Sequence, residues 1–362
     1  MGSLRNLFLL PWLTATLVSF ISTPIIIKYA AKLGIIDDPT KHKHPKVIHT
    51  YPVPRGGGIP IFLSLLTASL FFLPVDRQLV GILTGAVVLT VMGFLDDKYN
   101  LNPYLRLFIC FMAALFPIAS GIGIAFVSNP FGGGTINLSH PQIAFNLFGT
   151  SYTIWLVSDL FALIWITFLM NIVNMGAKGV DGQLSGVTVV AALTIAFMSL
   201  KFSADITQWP VIILAAITAG AYLGFLPWHI FPQKIMPGYG GSTLAGYLLA
   251  VLSILSTTKV GALMVVLGVP LIDTGYTIVR RVLAGKSPVW GDRGHLHHRL
   301  LDAGLSKMQV AFLYWGITAL LGILALNLNT TTKLYTMIGI ALGIGGLILW
   351  LTYRPKRETN NQ

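Results

Sequence analysis

The sequence predicts an all-α fold: a polytopic integral membrane protein with about eleven transmembrane helices. Of its 362 residues, 54% are hydrophobic and only 10% are charged, which is not the composition of a soluble domain. Apolar stretches near the length that crosses a ~30 Å hydrocarbon core recur along the whole chain. In order, they are 6–27, 59–75, 79–96, 105–126, 153–173, 186–202, 209–228, 243–257, 260–280, 309–327 and 334–352.

These stretches leave no room for a separate soluble domain. We therefore expect residues 1–353 to form one transmembrane domain and residues 354–362 a polar cytoplasmic tail. The first apolar run has no clean small-residue cleavage site and continues into Lys28, which favours an anchored helix over a removed signal. Cys110 is the only cysteine and lies in an apolar run, so disulfides and thiolate metal sites are excluded.

The distribution of charge predicts the orientation. Nineteen of the 24 Lys and Arg residues fall in alternate loops and their adjoining helix ends, namely 28–58, 97–104, 174–185, 229–242, 281–308 and the tail after 352. The positive-inside rule makes this face cytoplasmic, with the N-terminus outside and the C-terminus inside. Seven of the eight histidines lie on the same face. The longest outside loop, about 127–152, is expected to be a short hairpin or a re-entrant cover.

Two adjacent carboxylates, Asp96 and Asp97, end one apolar run and are followed by Lys98. Ionised neighbours repel each other and are costly near hydrocarbon, so a divalent cation or phosphoryl groups would explain the pair. Neighbours on a helix point about 100° apart, so the two carboxylates should have different partners. The alternative is a solvated helix end without chemistry.

A second polar cluster extends from Asn171 to Gly186, where one apolar helix ends and the next begins. Its glycines let backbone amides approach phosphates, and Lys178 supplies a positive charge. Asn174 and Asp181 supply oxygen ligands of the kind that hard cations prefer. An ordinary Gly-rich turn is the alternative, and the density of polar residues beside the bilayer argues against it.

A third acidic residue, Asp273, lies seven residues before Arg280, about 10 Å further along a helix. A carboxylate at that depth costs about 2.5–3.5 kcal/mol unless it is paired. Asp273 is therefore either a site residue or the structural partner of a Lys or Arg from another helix.

Two basic segments complete the candidate residues. The first opens the second helix with Arg55 followed by three glycines, a weak signal for anion binding at a helix N-terminus. The second, 291–299, carries three histidines and an arginine, namely His295, His297, His298 and Arg299. No set of four zinc ligands follows, and arginine and imidazole both donate to phosphate oxygens, so pyrophosphate binding fits better. A membrane-surface basic loop is the alternative.

Together these motifs resemble the polyprenyl-phosphate N-acetylhexosamine-1-phosphate transferases of glycosyltransferase family 4. This family includes the undecaprenyl-phosphate GlcNAc-1-phosphate transferases that start teichoic-acid and O-antigen synthesis, and the phospho-MurNAc-pentapeptide translocase. The likeness runs from Leu33 to Leu301, and its most specific segments are 93–97, 272–274 and 292–300. The last of these segments is more similar to the teichoic-acid-initiating branch.

The resemblance implies transfer of a sugar 1-phosphate from a UDP-sugar, GlcNAc by family default, to undecaprenyl phosphate, with release of UMP. This reaction would start cell-envelope glycan synthesis at the cytoplasmic face of a bacterial-type inner membrane, with Mg²⁺ or alternatively Mn²⁺ as cofactor. The expected partners are then the two substrates and membrane lipid, without nucleic acid. Whether the protein forms a homodimer stays open.

By the same resemblance, Asp96 and Asp97 would activate or orient the lipid phosphate. Asn174 and Asp181 would serve the metal and nucleotide side, with Asp181 also counted as catalytic. His295, His297, His298 and Arg299 would clamp the pyrophosphate. The other candidate substrate-binding residues, taken from the sequence itself, are Arg55, Lys98, Lys178 and Asp273.

The sequence departs from the family pattern in two places. The usual Asn-x-x-Asp-Gly-x-Asp-Gly-Leu is one residue longer here from Asn174 to Asp181 and keeps one Asp, Asp181, with Lys178 inside it. The usual Gly-Asp-x-Gly, whose Asp is a principal metal ligand, reads Gly238-Tyr239-Gly240-Gly241. Three interpretations stay open. Asp181, Asn174 and the pair Asp96 and Asp97 rebuild the metal site, or Lys178 replaces part of the metal's charge. The third is that the protein binds lipid phosphate or nucleotide sugar without turnover. A transporter is disfavoured because the charges gather on one face.

Overall fold

The computed structural model describes residues 4–40, 49–131, 133–147, 150–256, 259–287, 290 and 293–353. The tail predicted for 354–362 and the segment 291–292 of the histidine loop lie outside these residues. The described chain is mainly helical: α1 Leu10–Leu33, α2 Gly58–Phe72, α3 Arg77–Tyr99, α4 Pro103–Ala119, α5 Leu156–Gly176, α6 Gln183–Leu200, α7 Trp209–His229, α8 Gly238–Leu255, α9 Lys259–Val266, α10 Gly268–Leu283, α11 Leu296–Asp302, α12 Lys307–Ala325 and α13 Thr330–Tyr353.

Each apolar stretch predicted to span the membrane overlaps one of these helices. Among the described residues, eight helices are long and apolar enough to cross a membrane, and a ninth span results if α9 and α10, bent by 83°, count together. The two others, α2 and α4, are apolar but have only 15 and 17 residues. The protein is therefore a multi-pass helical membrane protein, while the count of eleven spans and the outside N-terminus stay predictions.

Six short strands form three antiparallel pairs in the described chain. The pair β1–β2 lies between α1 and α2, and the other two pairs lie between α4 and α5. The latter form two hairpins, which confirms the hairpin expected in the long loop. The strands are β1 Ile36–Asp37, β2 Val53–Pro54, β3 Phe126–Ser128, β4 Thr135–Asn137, β5 Gln142–Leu147 and β6 Thr150–Trp155.

The most deeply buried helix is α8, in which every residue from Gly238 to Ile254 is buried. It packs against α2, α3 and α5. Glycines bring the backbones together at its N-terminal end: a Cβ on Gly93 of α3 would overlap the Cα of Gly240, and a Cβ on Gly58 of α2 would lie 2.7 Å from the nitrogen of Gly241. Small residues allow such close helix packing in membranes. The start of α8 is thereby held between the start of α2 and the end of α3.

Candidate functional site

The candidate site is built around Gly238, the first residue of α8. Its φ of +66° is a left-handed conformation that glycine adopts without strain, and a Cβ there would overlap Oδ2 of Asp97. That Oδ2 accepts a hydrogen bond from the backbone N–H of Gly56 at 3.1 Å, and Oδ1 accepts one from the N–H of Tyr239 at 3.1 Å. The buried carboxylate of Asp97 therefore ties α3 to the segments that begin α2 and α8.

Lys178 reaches the same residue from the loop between α5 and α6. Its ammonium donates to the carbonyl oxygen of Gly238 at 2.7 Å. Burial lowers the pKa of Lys178 to about 8, and the carboxylates of Asp97 and Asp96 oppose this effect. A partly buried ammonium thus lies within the field of the two adjacent carboxylates.

Asn174, in the last turn of α5, joins this group through Ser242. The Ser242 hydroxyl lies 2.6 Å from Oδ1 of Asn174 and 3.0 Å from the carbonyl oxygen of Gly238. One backbone carbonyl therefore lies within hydrogen-bond distance of both Lys178 and Ser242. We call Asp97, Asn174, Lys178, Gly238 and Ser242 the α8 N-terminal cluster.

Asp96 has a different partner from Asp97, as expected for neighbours on a helix. Its Oδ1 lies 2.6 Å from Nε of Arg106 on α4 and accepts a hydrogen bond from the N–H of Leu101 at 3.1 Å. The guanidinium of Arg106 also lies 5.4 Å from the ring centre of Tyr239. This arrangement places a second cation beside the α8 N-terminal cluster.

The buried Asp181 lies in a separate polar group. Its Oδ1 is 3.6 Å from Nζ of Lys307 on α12, and its Oδ2 accepts a long hydrogen bond of 3.5 Å from the N–H of Gln233. The Tyr51 hydroxyl donates to the carbonyl of Gln233 at 3.1 Å. Within the described residues, no hydrogen bond given by the structure joins Asp181 to the α8 N-terminal cluster.

Arg55 lies close to both groups and is paired with Asp37. Its guanidinium donates to Oδ2 of Asp37 at 2.6 Å, and Nε2 of His49 lies 3.9 Å from the same oxygen. Burial lowers the pKa of His49, and the Asp37 carboxylate opposes this effect. Arg55 also contributes to the electrostatic field at Lys178. Its ion pair joins Asp37 of β1 to the residue that follows β2, beside the start of α2.

Asp273 is fully buried on α10 and holds the start of α11. Its Oδ2 lies 2.8 Å from Nδ1 of His295, and its Oδ1 accepts a hydrogen bond from the N–H of Leu296 at 2.7 Å. The partner is thus a histidine and a helix N-terminus, and not the Lys or Arg that one sequence interpretation expected. A carboxylate satisfied in this way orients the imidazole of His295.

The three histidines lie in contact with one another. The rings of His295 and His297 are stacked at 5.5 Å, and those of His297 and His298 are 4.4 Å apart at an angle of 49°. A Cβ on Gly179 would overlap the ring of His297, so this histidine packs directly on the loop that carries Lys178. The tertiary structure therefore brings the histidine segment beside the α8 N-terminal cluster.

Two predicted substrate-binding residues are directed elsewhere. Arg299 donates from Nε to the carbonyl of Gly294 at 2.8 Å, and its guanidinium contacts the Thr352 hydroxyl of α13. Lys98 is exposed, with Nζ 5.3 Å from the ring centre of Tyr99. Their predicted roles in substrate binding stay predictions.

Comparison with known proteins shows the family to which this chain belongs. A sequence model of glycosyl transferase family 4 matches residues 79–257. The chain is 30% identical over 329 residues to a Bacillus subtilis (strain 168) protein named probable undecaprenyl-phosphate N-acetylglucosaminyl 1-phosphate transferase, covering 89% of this chain and 85% of that protein. The chain belongs to glycosyl transferase family 4.

Two further family 4 relatives are similar over most of their length. A Mycobacterium tuberculosis (strain CDC 1551 / Oshkosh) protein named decaprenyl-phosphate N-acetylglucosaminephosphotransferase is 29% identical over 372 residues, 93% of this chain and 87% of that protein. A Thermotoga maritima protein named undecaprenyl-phosphate alpha-N-acetylglucosaminyl 1-phosphate transferase is 25% identical over 315 residues, covering 86% and 88%. The matched segment 79–257 contains the whole α8 N-terminal cluster.

The divalent cation implied by the family resemblance does not fit the oxygens of this cluster. Tyr239 stands where the Gly-Asp-x-Gly pattern has its acidic ligand, and its phenol lies 3.3 Å from the Arg106 carbonyl and 3.2 Å from the sulfur of Cys110. Both carboxylate oxygens of Asp97 accept backbone N–H groups, and Oδ1 of Asn174 accepts the Ser242 hydroxyl. In the described part of the chain, no three Asp, Glu, His or Cys side chains are grouped to share a cation.

The sequence analysis missed three residues that shape the site. Arg106 is the one charged residue of α4, and an isolated arginine at the end of an apolar helix signals a buried acidic partner. Gln183 accepts from the N–H groups of Gly179 and Val180 and donates to a carbonyl of α5, so its side chain shapes the loop of Lys178. Ser242 carries no comparable sequence signal because a serine after glycines is common in helix starts.

Proposed function

We propose that this family 4 protein transfers N-acetylglucosamine 1-phosphate from a UDP-sugar to polyprenyl phosphate and releases UMP. The observation that carries the proposal is the α8 N-terminal cluster, in which an ammonium and two carboxylates converge on the start of a buried helix. The family 4 match covers this cluster. The Bacillus and Mycobacterium relatives are named for N-acetylglucosamine phosphate transfer to undecaprenyl and decaprenyl phosphate, which supports the choice of sugar and acceptor.

The reaction exchanges one phosphorus–oxygen bond for another. An oxygen of the lipid phosphate forms a bond to the phosphorus that carries the sugar. The bond from that phosphorus to the oxygen bridging it to UMP breaks, and the electron pair leaves with UMP. Charge balances without an added proton or oxidant, and a single displacement or two successive ones through an aspartyl intermediate give the same products.

Catalysis of this exchange depends on positive charge, because both substrates are anionic. Lys178 and Arg106 supply two fixed cations at the α8 N-terminal cluster, and the imidazoles of His295, His297 and His298 supply N–H donors beside it. Asp97 orients the backbone around Gly238. We assign the donor nucleotide to the side of Asp181 and Lys307. The family resemblance predicts a requirement for Mg²⁺, or alternatively Mn²⁺, although the oxygens of the α8 N-terminal cluster do not fit such a cation.

The proposed location is the plasma membrane, with the site on the cytoplasmic face. The support is that both polar groups and the histidines lie in the loops and helix ends that the positive-inside rule assigns to the cytoplasm. A UDP-sugar donor would be supplied from that side. The lipid-linked sugar diphosphate would then be the first intermediate of a cell-envelope glycan, such as teichoic acid or lipopolysaccharide.

The test is UMP release by the purified protein with undecaprenyl phosphate and a panel of UDP-N-acetylhexosamines. We expect release with UDP-GlcNAc together with a lipid product of the matching mass. Asp97→Asn should reduce release by on the order of 10²-fold. The control is Asp159→Asn, the same substitution in the first turn of α5. The carboxylate of Asp159 accepts a hydrogen bond from the N–H of Trp155 at 3.0 Å. Binding of the donor without any release would instead support the alternative of a protein that binds substrate without turnover.

A further inference from the structure

The two departures from the family pattern lie one residue apart in the structure. Lys178 donates to the carbonyl of Gly238, and the next residue, Tyr239, occupies the position of the missing acidic ligand. The sequence separates these two changes by about sixty residues. Their proximity in the structure is consistent with one change compensating for the other.

The position of Tyr239 is closed to a metal ligand. Its phenol is directed into the contact of α8 with α4, where it lies 3.2 Å from the sulfur of Cys110 and 5.4 Å from the guanidinium of Arg106. Its backbone N–H is bonded to Asp97, which holds this orientation of the helix start. Asp181 does not fill the gap, because its carboxylate lies against Lys307 and the N–H of Gln233.

The ammonium of Lys178 is suited to supply the positive charge that a metal ion would otherwise provide. An ammonium has three N–H donors, and its described hydrogen bond to Gly238 uses one of them. Although burial lowers the pKa of Lys178 to about 8, the group is mostly protonated at pH 7. The ring of His297 packs on the neighbouring Gly179, which places one imidazole beside the loop that carries Lys178.

We propose that the ammonium of Lys178 replaces the divalent cation at the α8 N-terminal cluster, so that phosphate transfer at this site needs no metal ion. The inference rests on the proposed sugar-phosphate transfer and specifies how its charge is neutralised. Lys178 would contact the phosphate oxygens of the donor directly and would stabilise the charge that develops on the transferred phosphoryl group.

The activity test measures UMP release in EDTA and in MgCl₂. We expect the wild-type rate to be the same in both. Lys178→Met should lower the rate by on the order of 10²–10³-fold, with no recovery in Mg²⁺. Lys178→Arg keeps the charge and should retain EDTA-resistant release, which separates loss of charge from misfolding. Lys234→Met is the matched control, since this exposed lysine lies 5.2 Å from the ring centre of Trp228.

A binding test decides the inference independently of turnover. Mn²⁺ is titrated into the metal-free protein and followed by electron paramagnetic resonance. We expect the wild-type protein to show no stoichiometric Mn²⁺ site that depends on Asp97, and therefore no bound Mn²⁺ signal that Asp97→Asn removes. Such a site would overturn the inference, as would wild-type release that EDTA abolishes and Mg²⁺ restores. No UMP release from any donor would count against the proposed transfer, and the Mn²⁺ titration would then still decide the role of Lys178.

Discussion

Gly238 offers a sharp test of the site because a single added methyl group would overlap the buried carboxylate of Asp97. In Gly238→Ala the Cβ would overlap Oδ2 of Asp97, so the carboxylate must move. Two backbone N–H groups, of Gly56 and Tyr239, donate to this carboxylate. A hydrogen bond to a charged group contributes about 1.5–3 kcal/mol, so loss of one or both costs about 1.5–6 kcal/mol.

The left-handed backbone adds a separate cost that must be subtracted. A non-glycine residue at φ of +66° is strained by about 1–2 kcal/mol. Gly285 is a matched control, because its φ is +67° and an added Cβ meets nothing within 4 Å. Gly285→Ala therefore reports the backbone strain alone. The difference between the two variants isolates the displacement of Asp97.

The assay compares the free energy of unfolding in detergent and UMP release for both variants. We expect Gly238→Ala to be less stable than Gly285→Ala by at least about 1.5 kcal/mol and to lose most of its activity, while Gly285→Ala remains active. Equal stability and equal activity of the two variants would refute the reasoning. That result would mean that the carboxylate of Asp97 does not depend on its contacts at Gly238.

Three further predictions follow from the charged pairs. Burial lowers the pKa of Lys178 to about 8, so kcat/KM should fall as the pH rises through that value and the ammonium loses its proton. Lys178→Arg should abolish this fall in the pH profile, because arginine keeps its charge. A fall that persists in the variant contradicts the assignment. Arg106→Met should destabilise the protein by about 3 kcal/mol or less, because the carboxylate of Asp96 is buried whereas Arg106 is 25% exposed. The double variant with Asp96→Asn should cost less than the sum of the single variants, and strict additivity of unfolding free energies would exclude the pair. Asp273→Asn should lower the unfolding free energy by about 1.5–3 kcal/mol through its contact with His295, and an unchanged melting temperature would contradict this.

Much of the fold could be predicted because the hydrocarbon core of a membrane restricts which residues and which secondary structure can cross it. Every backbone polar group must be bonded internally in hydrocarbon, so a long apolar stretch becomes a helix. All eleven predicted stretches overlap helices for this reason. The 83° bend between α9 and α10 was not predicted, since it depends on packing with other helices: a Cβ on Gly268 would lie 2.9 Å from a methyl group of Ile340 on α13.

The partners of the charged residues were harder to predict than the residues themselves. Asp273 was expected to be either a site residue or the structural partner of a Lys or Arg, and the structure places it against His295 and the start of α11. Arg299 lies beside the three histidines in the sequence, yet its guanidinium contacts α13 while the imidazole of His297 packs on the loop of Lys178. Side-chain direction on a short helix depends on which neighbour the helix packs against, and local sequence does not record that neighbour.

The sequence by itself determined that this protein is helical, apolar and supplied with phosphate-binding residue types near the helix ends of one face. It also revealed the missing acidic ligand and Lys178 within the lengthened segment. Only the tertiary structure decided that Lys178 bonds to Gly238, the residue before the position of the missing acidic ligand. The physical reason is the contact of α3 with α8, where Gly93 and Gly240 bring two backbones together and carry Asp97 to the first residue of α8.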